Sequence, residues 1–154
     1  MDLRPLLEAA LTLLRNGPEI GPDHVVTLEA DEGPHLCLAD PDQITQVFWN
    51  LARNALEAMP DGGELDIRLR QKGGEVFFVV RDQGRGISSE EQRRVFEPFA
   101  SSNPMGTGLG LAIVYRIVRE HGGDISVRSA TNRGTEVEVR LPLMAVGQPV
   151  RAGA

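Results

Sequence analysis

The sequence contains almost no cysteine and no long apolar run. Cys37 is the only cysteine among 154 residues, which excludes an internal disulfide and a cysteine-rich zinc site. No segment approaches the roughly 20 apolar residues that a membrane-spanning helix needs. The chain begins with an acid at Asp2 and a proline at Pro5, whereas a signal peptide begins with basic residues. We therefore expect a cytoplasmic domain, and the sequence leaves open whether its parent protein is membrane-anchored.

Positive charge is also scarce. Sixteen Lys and Arg residues stand against 22 Asp and Glu residues, which gives a formal net charge of -6. An acidic surface repels phosphate backbones and anionic lipids, so we expect no nucleic-acid partner and no direct membrane contact. The length and the 41% share of apolar residues are those of one ordinary globular domain.

Hydrophobic periodicity predicts helices and strands along most of the chain. Apolar residues at helical spacing predict a helix over 2–16 and another over 40–59, with Asp40 as the N-cap of the second. Ser88 and Glu91 form a capping box that predicts a short helix over 88–96. A last helix follows the glycines near residue 106 and ends at Gly122-Gly123. Strands are predicted at 24–30, 35–39, 63–71, 74–82, 124–130 and 134–142.

The predicted strands come in pairs, with helices between the pairs. Short turns join the members of each pair, and Lys72-Gly73 is one such hairpin signal. This order predicts an α/β protein with a mixed or antiparallel sheet and helices on one face, a two-layer sandwich. It argues against the strict alternation of strand and helix that builds a parallel doubly wound sheet.

Three glycines, Gly106, Gly108 and Gly110, stand at alternate positions directly before a helical pattern. A helix N-terminus leaves about four N–H groups without partners and attracts anions, and glycine would let a phosphate approach those groups closely. The spacing matches neither the P-loop nor the dinucleotide fingerprint in its usual setting. A hinge or a tight helix–sheet contact explains the glycines as well, so this stretch alone leaves both interpretations open.

Two further sets of residues fit a nucleotide site. Asp82 ends an apolar strand beside Gly84 and Gly86, where its carboxylate can accept a hydrogen bond from the exocyclic amine of adenine. Asn50 and Asn54 share one face of the second predicted helix, and their carboxamide oxygens can ligate Mg²⁺. Each feature taken alone is more simply a turn that ends a strand, or ordinary polar capping of a neighbouring loop.

Together, these segments resemble the sequence boxes of the sensor histidine kinase ATP-binding domain, within the superfamily that includes gyrase and mismatch-repair ATPases. QVFWNLARNALEAM is similar to the N box, DQGRGI to the G1 box, FEPF to the F box and GTGLGLAIV to the G2 box. The resemblance covers nearly the whole chain. It implies the Bergerat two-layer sandwich, a mixed sheet of about five strands with about three helices on one face. A short lid and the segment NALEAM resemble the nitrogen-regulation branch of these kinases.

The resemblance also implies a role for each box. Asn54 would coordinate Mg²⁺ and Asn50 would support the triphosphate, so these two are the candidate catalytic residues. Asp82 would recognise the adenine amino group. The segment 100–105 would be the nucleotide lid, although this chain lacks the Thr-Thr-Lys segment often found there in the nitrogen-regulation branch. The candidate nucleotide-binding residues are Asn50, Asn54, Asp82, Gly84, Gly86, Ile87, Phe99, Ser101, Ser102, Gly106, Thr107, Gly108, Leu109 and Gly110.

Position 50 distinguishes the functions that the resemblance allows. ATPases and serine kinases of the superfamily are similar in carrying a glutamate four residues before the metal asparagine, where it acts as a general base. Asn50 cannot accept a proton, whereas a neutral histidine imidazole needs little help to act as a nucleophile. The resemblance therefore implies transfer of the ATP γ-phosphoryl group to a histidine. An ATP-hydrolysing conformational switch, or a nucleotide-binding or docking module without transfer activity, are the alternatives.

The acceptor histidine is expected on another domain. His24, His35 and His121 all lack the sequence context of a phosphoacceptor, and we interpret them as structural residues. The resemblance implies a dimerisation and phosphoacceptor domain in the parent kinase and a response regulator downstream, and we expect this chain alone to be a monomer. Residues 1–20 are predicted as a junction helix, 21–143 as the ATP-binding catalytic domain and 144–154 as a flexible tail.

Overall fold

The computed structural model describes residues 2–18, 20–32, 35–93 and 110–142. Helices are found within all four predicted helical segments, and five of the six predicted strands are present. The predicted helix over 88–96 ends at Gln92. In chain order the elements are α1 (Leu3–Arg15), β1 (His24–Ala30), α2 (Pro41–Glu57), β2 (Gly63–Lys72), β3 (Glu75–Asp82), α3 (Ser89–Gln92), α4 (Gly110–Glu120), β4 (Asp124–Ser129) and β5 (Thr135–Pro142).

The five strands form one mixed sheet in the order β1-β2-β3-β5-β4. β1 runs parallel to β2 because α2 connects them, and the other three neighbouring pairs are antiparallel. Gly73 and Gly74 both have positive φ angles, +60° and +79°, which a two-residue hairpin turn between β2 and β3 requires. The mixed sheet confirms the predicted fold class.

The prediction of a strand over 35–39 is wrong. Leu36 makes one antiparallel bridge to Asp2, and β1 takes β2 as its neighbour instead. The backbone N–H of Leu3 donates to the His35 carbonyl at 3.0 Å, and the His35 N–H donates to the Asp2 carboxylate at 3.0 Å. The alternating pattern of this segment therefore reflects burial against the start of α1, where His35 and Cys37 are fully enclosed.

Helices α1, α2 and α4 cover one face of the sheet. Apolar side chains alternate along each strand and meet the apolar stripes of these helices in a single core. The opposite face carries charged residues in register, such as Arg81 between Asp66 and Glu136. This division is the predicted two-layer arrangement. The largest fully buried side chains include Phe48, Leu3, Leu7, Leu14, Ile44, Leu65, Ile67 and Leu69.

The predicted helix caps at Asp40, Ser88 and Gly122-Gly123 are confirmed. The Asp40 carboxylate accepts the backbone N–H of Asp42 at 2.9 Å, and Ser88 Oγ accepts that of Glu91 at 3.2 Å. α4 ends in a turn in which the Gly123 N–H donates to the Val118 carbonyl at 3.0 Å. Within the described residues, no helix combines the length and apolar character needed to cross a membrane.

Two further histidines bind neighbouring backbone within the fold. His24 Nε2 lies 2.6 Å from the Met59 carbonyl, which ties the start of β1 to the end of α2. His121 Nε2 accepts the Asp40 N–H at 3.1 Å, and this contact links the end of α4 to the start of α2. These contacts support the interpretation of His24 and His121 as structural residues.

Cys37 provides a test of the packing around α1. Burial raises the pKa of its thiol from 9.0 to about 11, so very little reactive thiolate is present near pH 8. We expect native protein to resist iodoacetamide, while protein unfolded in urea should take up one label, measured by mass spectrometry. Rapid labelling of the native chain would contradict the packing described for residues 35–39.

Candidate functional site

The helix α2 carries the two candidate asparagines on the same side. Asn50 is half-buried and Asn54 is exposed, four residues apart and one helical turn from each other. The buried residues Val47 and Leu51 lie beside them, so the two asparagines stand at the edge of the apolar stripe that α2 turns toward the core. No described residue hydrogen-bonds either carboxamide.

Asp82 is the last residue of β3, and its side chain lies on the helix-covered face of the sheet. It is 7% exposed and pairs in register with Thr135 of β5. The Gly84 N–H donates to the Asp82 carboxylate at 2.8 Å. Burial raises the pKa of the Asp82 carboxyl above its ordinary value, although backbone hydrogen bonds from Gly84 and Thr135 and the charge of Arg85 lower it in part. An ionised carboxylate can accept about four hydrogen bonds, so Asp82 retains capacity for a ligand N–H group.

Gly84 and Gly86 allow the loop after β3 to touch two other segments. A Cβ atom at Gly84 would lie 2.4 Å from the Ala58 carbonyl oxygen, at the end of α2. Gly86 has a φ of +70°, and its Cβ would lie 2.0 Å from the Ala130 carbonyl oxygen, beyond β4. The Arg85 N–H also donates to the Ala58 carbonyl at 3.2 Å. The loop that carries the predicted adenine site is therefore fixed between the asparagine helix and the β4–β5 hairpin.

Sequence reasoning missed the residues that hold this loop. Met59 Sδ accepts the Gln83 N–H at 3.4 Å, and Ser129 Oγ accepts the Ile87 N–H at 2.7 Å. One signal was available for Ser129 and Thr135: both are polar at positions where the alternation of β4 and β5 places apolar residues. Polar residues at such positions in two adjacent predicted strands indicate a hydrogen-bonded site at the sheet end.

Part of the predicted site lies outside the described residues. The lid 100–105 belongs to this part. α4 begins at Gly110, so the helix predicted after the glycine-rich segment is confirmed. The other candidates outside the described residues are Phe99, Ser101, Ser102, Gly106, Thr107, Gly108 and Leu109.

The described residues fit a magnesium ion that arrives with its nucleotide. They contain no group of three or more His, Cys, Asp or Glu side chains that could hold a metal alone. Mg²⁺ usually binds proteins through one or two oxygen ligands, and substrate phosphates and water complete its octahedron. The exposed carboxamide of Asn54 is an oxygen donor of this kind.

Comparison with known families identifies the class of protein. Residues 39–145 match the family described as histidine kinase-, DNA gyrase B-, and HSP90-like ATPase. The chain belongs to this family, and its fold is the α/β sandwich of histidine kinase catalytic domains.

Similar proteins with established names are kinases. The chain is 45% identical to sporulation kinase D of Bacillus subtilis (strain 168), over 74% of this chain and 22% of that protein. It is 34% identical to the sensor histidine kinase ZraS of Escherichia coli O157:H7, over 93% of this chain and 31% of that protein. The chain thus spans less than a third of these relatives.

Solved structures of histidine kinases share the fold over almost the whole length of the solved chains. The catalytic domain of histidine kinase ThkA superposes with a TM-score of 0.81 at 29% identity, covering 92% of this chain and 93% of that one. The mycobacterial sensor histidine kinase MprB superposes with a TM-score of 0.76 at 32% identity, over 92% of this chain and 95% of the MprB chain. The chain therefore has the architecture of an ATP-binding catalytic domain of the sensor histidine kinase type.

Proposed function

We propose that this domain binds ATP together with Mg²⁺ and donates the γ-phosphoryl group to a histidine on a separate dimerisation and phosphoacceptor domain. The phosphohistidine would then supply a response regulator. Because ATP is a cytoplasmic substrate, we place the domain in the cytoplasm. The observation that carries the proposal is Asn50, an amide on the same side of α2 as the metal candidate Asn54.

Adenine would bind beside the loop after β3. The buried Asp82 carboxylate would accept a hydrogen bond from the adenine amino group. Guanine presents a carbonyl at that edge, and the same carboxylate would repel it. Gly84 and Gly86 shape the pocket wall, because side chains there would collide with Ala58 and Ala130. The proposed site therefore selects adenine by the charge of one residue and by the shape of its loop.

The phosphates would lie between α2 and the start of α4. These two helices pack against each other, and Gly110 begins α4, whose first N–H groups are suited to an anion. Asn54 would supply one oxygen to Mg²⁺, which neutralises charge on the phosphates when bound. Asn50 would donate from its amide nitrogen to the triphosphate.

The transfer step needs no base from this domain. The unprotonated nitrogen of a neutral imidazole attacks the γ-phosphorus, a nitrogen–phosphorus bond forms, the bond to the β–γ bridging oxygen breaks, and ADP leaves. Positioning and charge stabilisation supply most of the catalysis in such a step. A water nucleophile would have to lose a proton, and Asn50 cannot accept it.

Phosphotransfer in trans tests this proposal. The chain is mixed with the phosphoacceptor domain of its parent protein and with radiolabelled Mg-ATP. We expect an acid-labile, alkali-stable label on the acceptor domain, and its loss when the acceptor histidine is replaced by glutamine. Bound nucleotide without any label on the acceptor would contradict the proposal.

The raised pKa of Asp82 predicts a pH dependence. Because the pKa of Asp82 in the folded state lies above its ordinary value of 3.8, the carboxyl group becomes protonated at a higher pH than an ordinary aspartate. This protonation does not reduce the stability of the fold as the pH falls. It does remove the ionised carboxylate that would accept a hydrogen bond from adenine. We expect ADP affinity to decline as the pH falls through the raised pKa, while an ordinary aspartate would still be ionised. In calorimetric titrations, Asp82→Asn should show a flatter profile; identical profiles would exclude Asp82 as the titrating group.

A further inference from the structure

Residues 83–87, which follow β3 and carry the proposed adenine pocket, are called the adenine loop below. The hydroxyl of Ser129, the last residue of β4, connects this loop to the start of β5. Its Oγ accepts the Ile87 N–H at 2.7 Å and lies 2.8 Å from the Gly134 carbonyl and 2.9 Å from Thr135 Oγ1. A serine hydroxyl has one proton and two lone pairs. Donation to Gly134 and acceptance from Ile87 and Thr135 use all three. Ser129 thus has its full hydrogen-bonding capacity satisfied inside the protein.

The backbone of Ser129 makes a second connection. Its carbonyl accepts from Gln92 Nε2 at 2.7 Å, and the same nitrogen donates to the Ile87 carbonyl at 3.1 Å. Gln92 ends α3, the helix that precedes the lid segment. Ile87, at the end of the adenine loop, is therefore held through its N–H by Ser129 and through its carbonyl by Gln92.

The hairpin that Ser129 stabilises also contacts Asp82. Thr135 faces Asp82 in the β3–β5 register, and its backbone N–H lowers the pKa of the Asp82 carboxyl. A Cβ atom at Gly134 would lie 2.1 Å from the Asp82 carbonyl oxygen, so the hairpin lies directly against the end of β3. Displacing Ile87 from Ser129 would loosen both the loop that follows Asp82 and the hairpin that contacts it.

We propose that Ser129 is a positioning residue of the adenine site. Its hydroxyl fixes the exit of the loop against the start of β5, and so holds the Asp82 carboxylate in the orientation that distinguishes adenine from guanine. This inference rests on the adenine role of Asp82 in the proposed function. Ser129 acts through Asp82, since its own hydroxyl has no capacity left for a nucleotide.

Calorimetric titration of Ser129→Ala with ADP and with GDP tests the proposal. Because Ser129 acts through Asp82, its effect cannot exceed the loss of the hydrogen bond that Asp82 makes to adenine, and we expect ADP affinity to fall roughly 5- to 100-fold. GDP affinity should change much less, and the ADP-to-GDP ratio should therefore fall. Ser126→Ala is the matched control, because Ser126 lies on the same strand but on the face that pairs with Glu138. It should leave both affinities unchanged.

A double-mutant cycle with Asp82→Asn separates positioning from general stability. If Ser129 acts through Asp82, Ser129→Ala should change ADP affinity by less than about 2-fold in the Asp82→Asn background. Additive losses, an unchanged ADP-to-GDP ratio, or an equal loss in Ser126→Ala would overturn the proposal. Should Ser129→Ala fail to fold, Ser129→Cys keeps the volume and removes the strong hydrogen bond, with the same expected results.

The measurement is independent of phosphotransfer. Normal ADP binding with the expected Ser129 effects, but no label on an acceptor domain, would reject the proposed function and support the positioning role. Phosphotransfer to the acceptor domain, together with unchanged ADP and GDP affinities in Ser129→Ala, would support the proposed function and reject the positioning role. A wild-type chain that binds no ADP would reject both.

Discussion

Asp82→Asn is expected to weaken adenine-nucleotide binding by roughly 10- to 150-fold, the effect of losing about 1.5–3 kcal/mol from a hydrogen bond to a charged group. Asp82 is 7% exposed and accepts the Gly84 N–H at 2.8 Å. The asparagine side chain has nearly the same size and its oxygen can still accept that N–H, so the loop should keep its shape. The variant loses only the negative charge that strengthens the hydrogen bond from the adenine amino group.

Calorimetric titration with ADP measures this loss. Asp61→Asn is a matched control, because Asp61 is an exposed carboxylate in the turn after α2. It should bind ADP as the wild type does. An Asp82→Asn variant with unchanged affinity would remove Asp82 from the adenine site and with it the basis of the selectivity proposed here.

Asn54→Ala is expected to reduce phosphotransfer by about 100-fold or more and to abolish most of the Mg²⁺ dependence of ATP binding. A bound metal contributes several kcal/mol of charge stabilisation to such a transfer, and Asn54 is the proposed protein ligand. Because Asn54 is exposed and no described residue hydrogen-bonds its side chain, the fold should tolerate the substitution.

The measurement is ATP affinity with and without Mg²⁺, followed by transfer to the acceptor domain. Gln71→Ala is the matched control, because Gln71 is an exposed carboxamide near the end of β2 and lies outside the candidate site. Its response to Mg²⁺ should equal that of the wild type. An Asn54→Ala variant with the same response would show that the ion is held elsewhere.

Local sequence patterns predicted the elements that depend on local chemistry. Helix α2 follows from the Asp40 cap and a buried apolar stripe, and the β2–β3 hairpin follows from alternation around Gly73. The segment 35–39 has the same alternation and forms no strand. Its burial comes from contacts with Asp2 and Leu3 at the start of α1, more than 30 residues away, which periodicity cannot reveal.

In the candidate site, too, residues adjacent in sequence could be predicted and residues from distant segments could not. Asp82 and its two glycines were identified because the glycines are adjacent in sequence, and the structure gives each glycine a close backbone contact. The residues that hold the loop come from other segments: Met59 lies 24 positions from Gln83, and Ser129 lies 42 positions from Ile87. Only the sheet register and the end of α2 bring them together.

We propose that this site donates the γ-phosphoryl group of ATP to a histidine and does not hydrolyse ATP. The most direct test is to incubate the chain with Mg-ATP, confirm binding, and follow free phosphate for hours. We expect bound nucleotide with almost no phosphate released, because Asn50 cannot act as a base. Steady release that Asn54→Ala abolishes would identify an ATPase and contradict the role assigned to position 50.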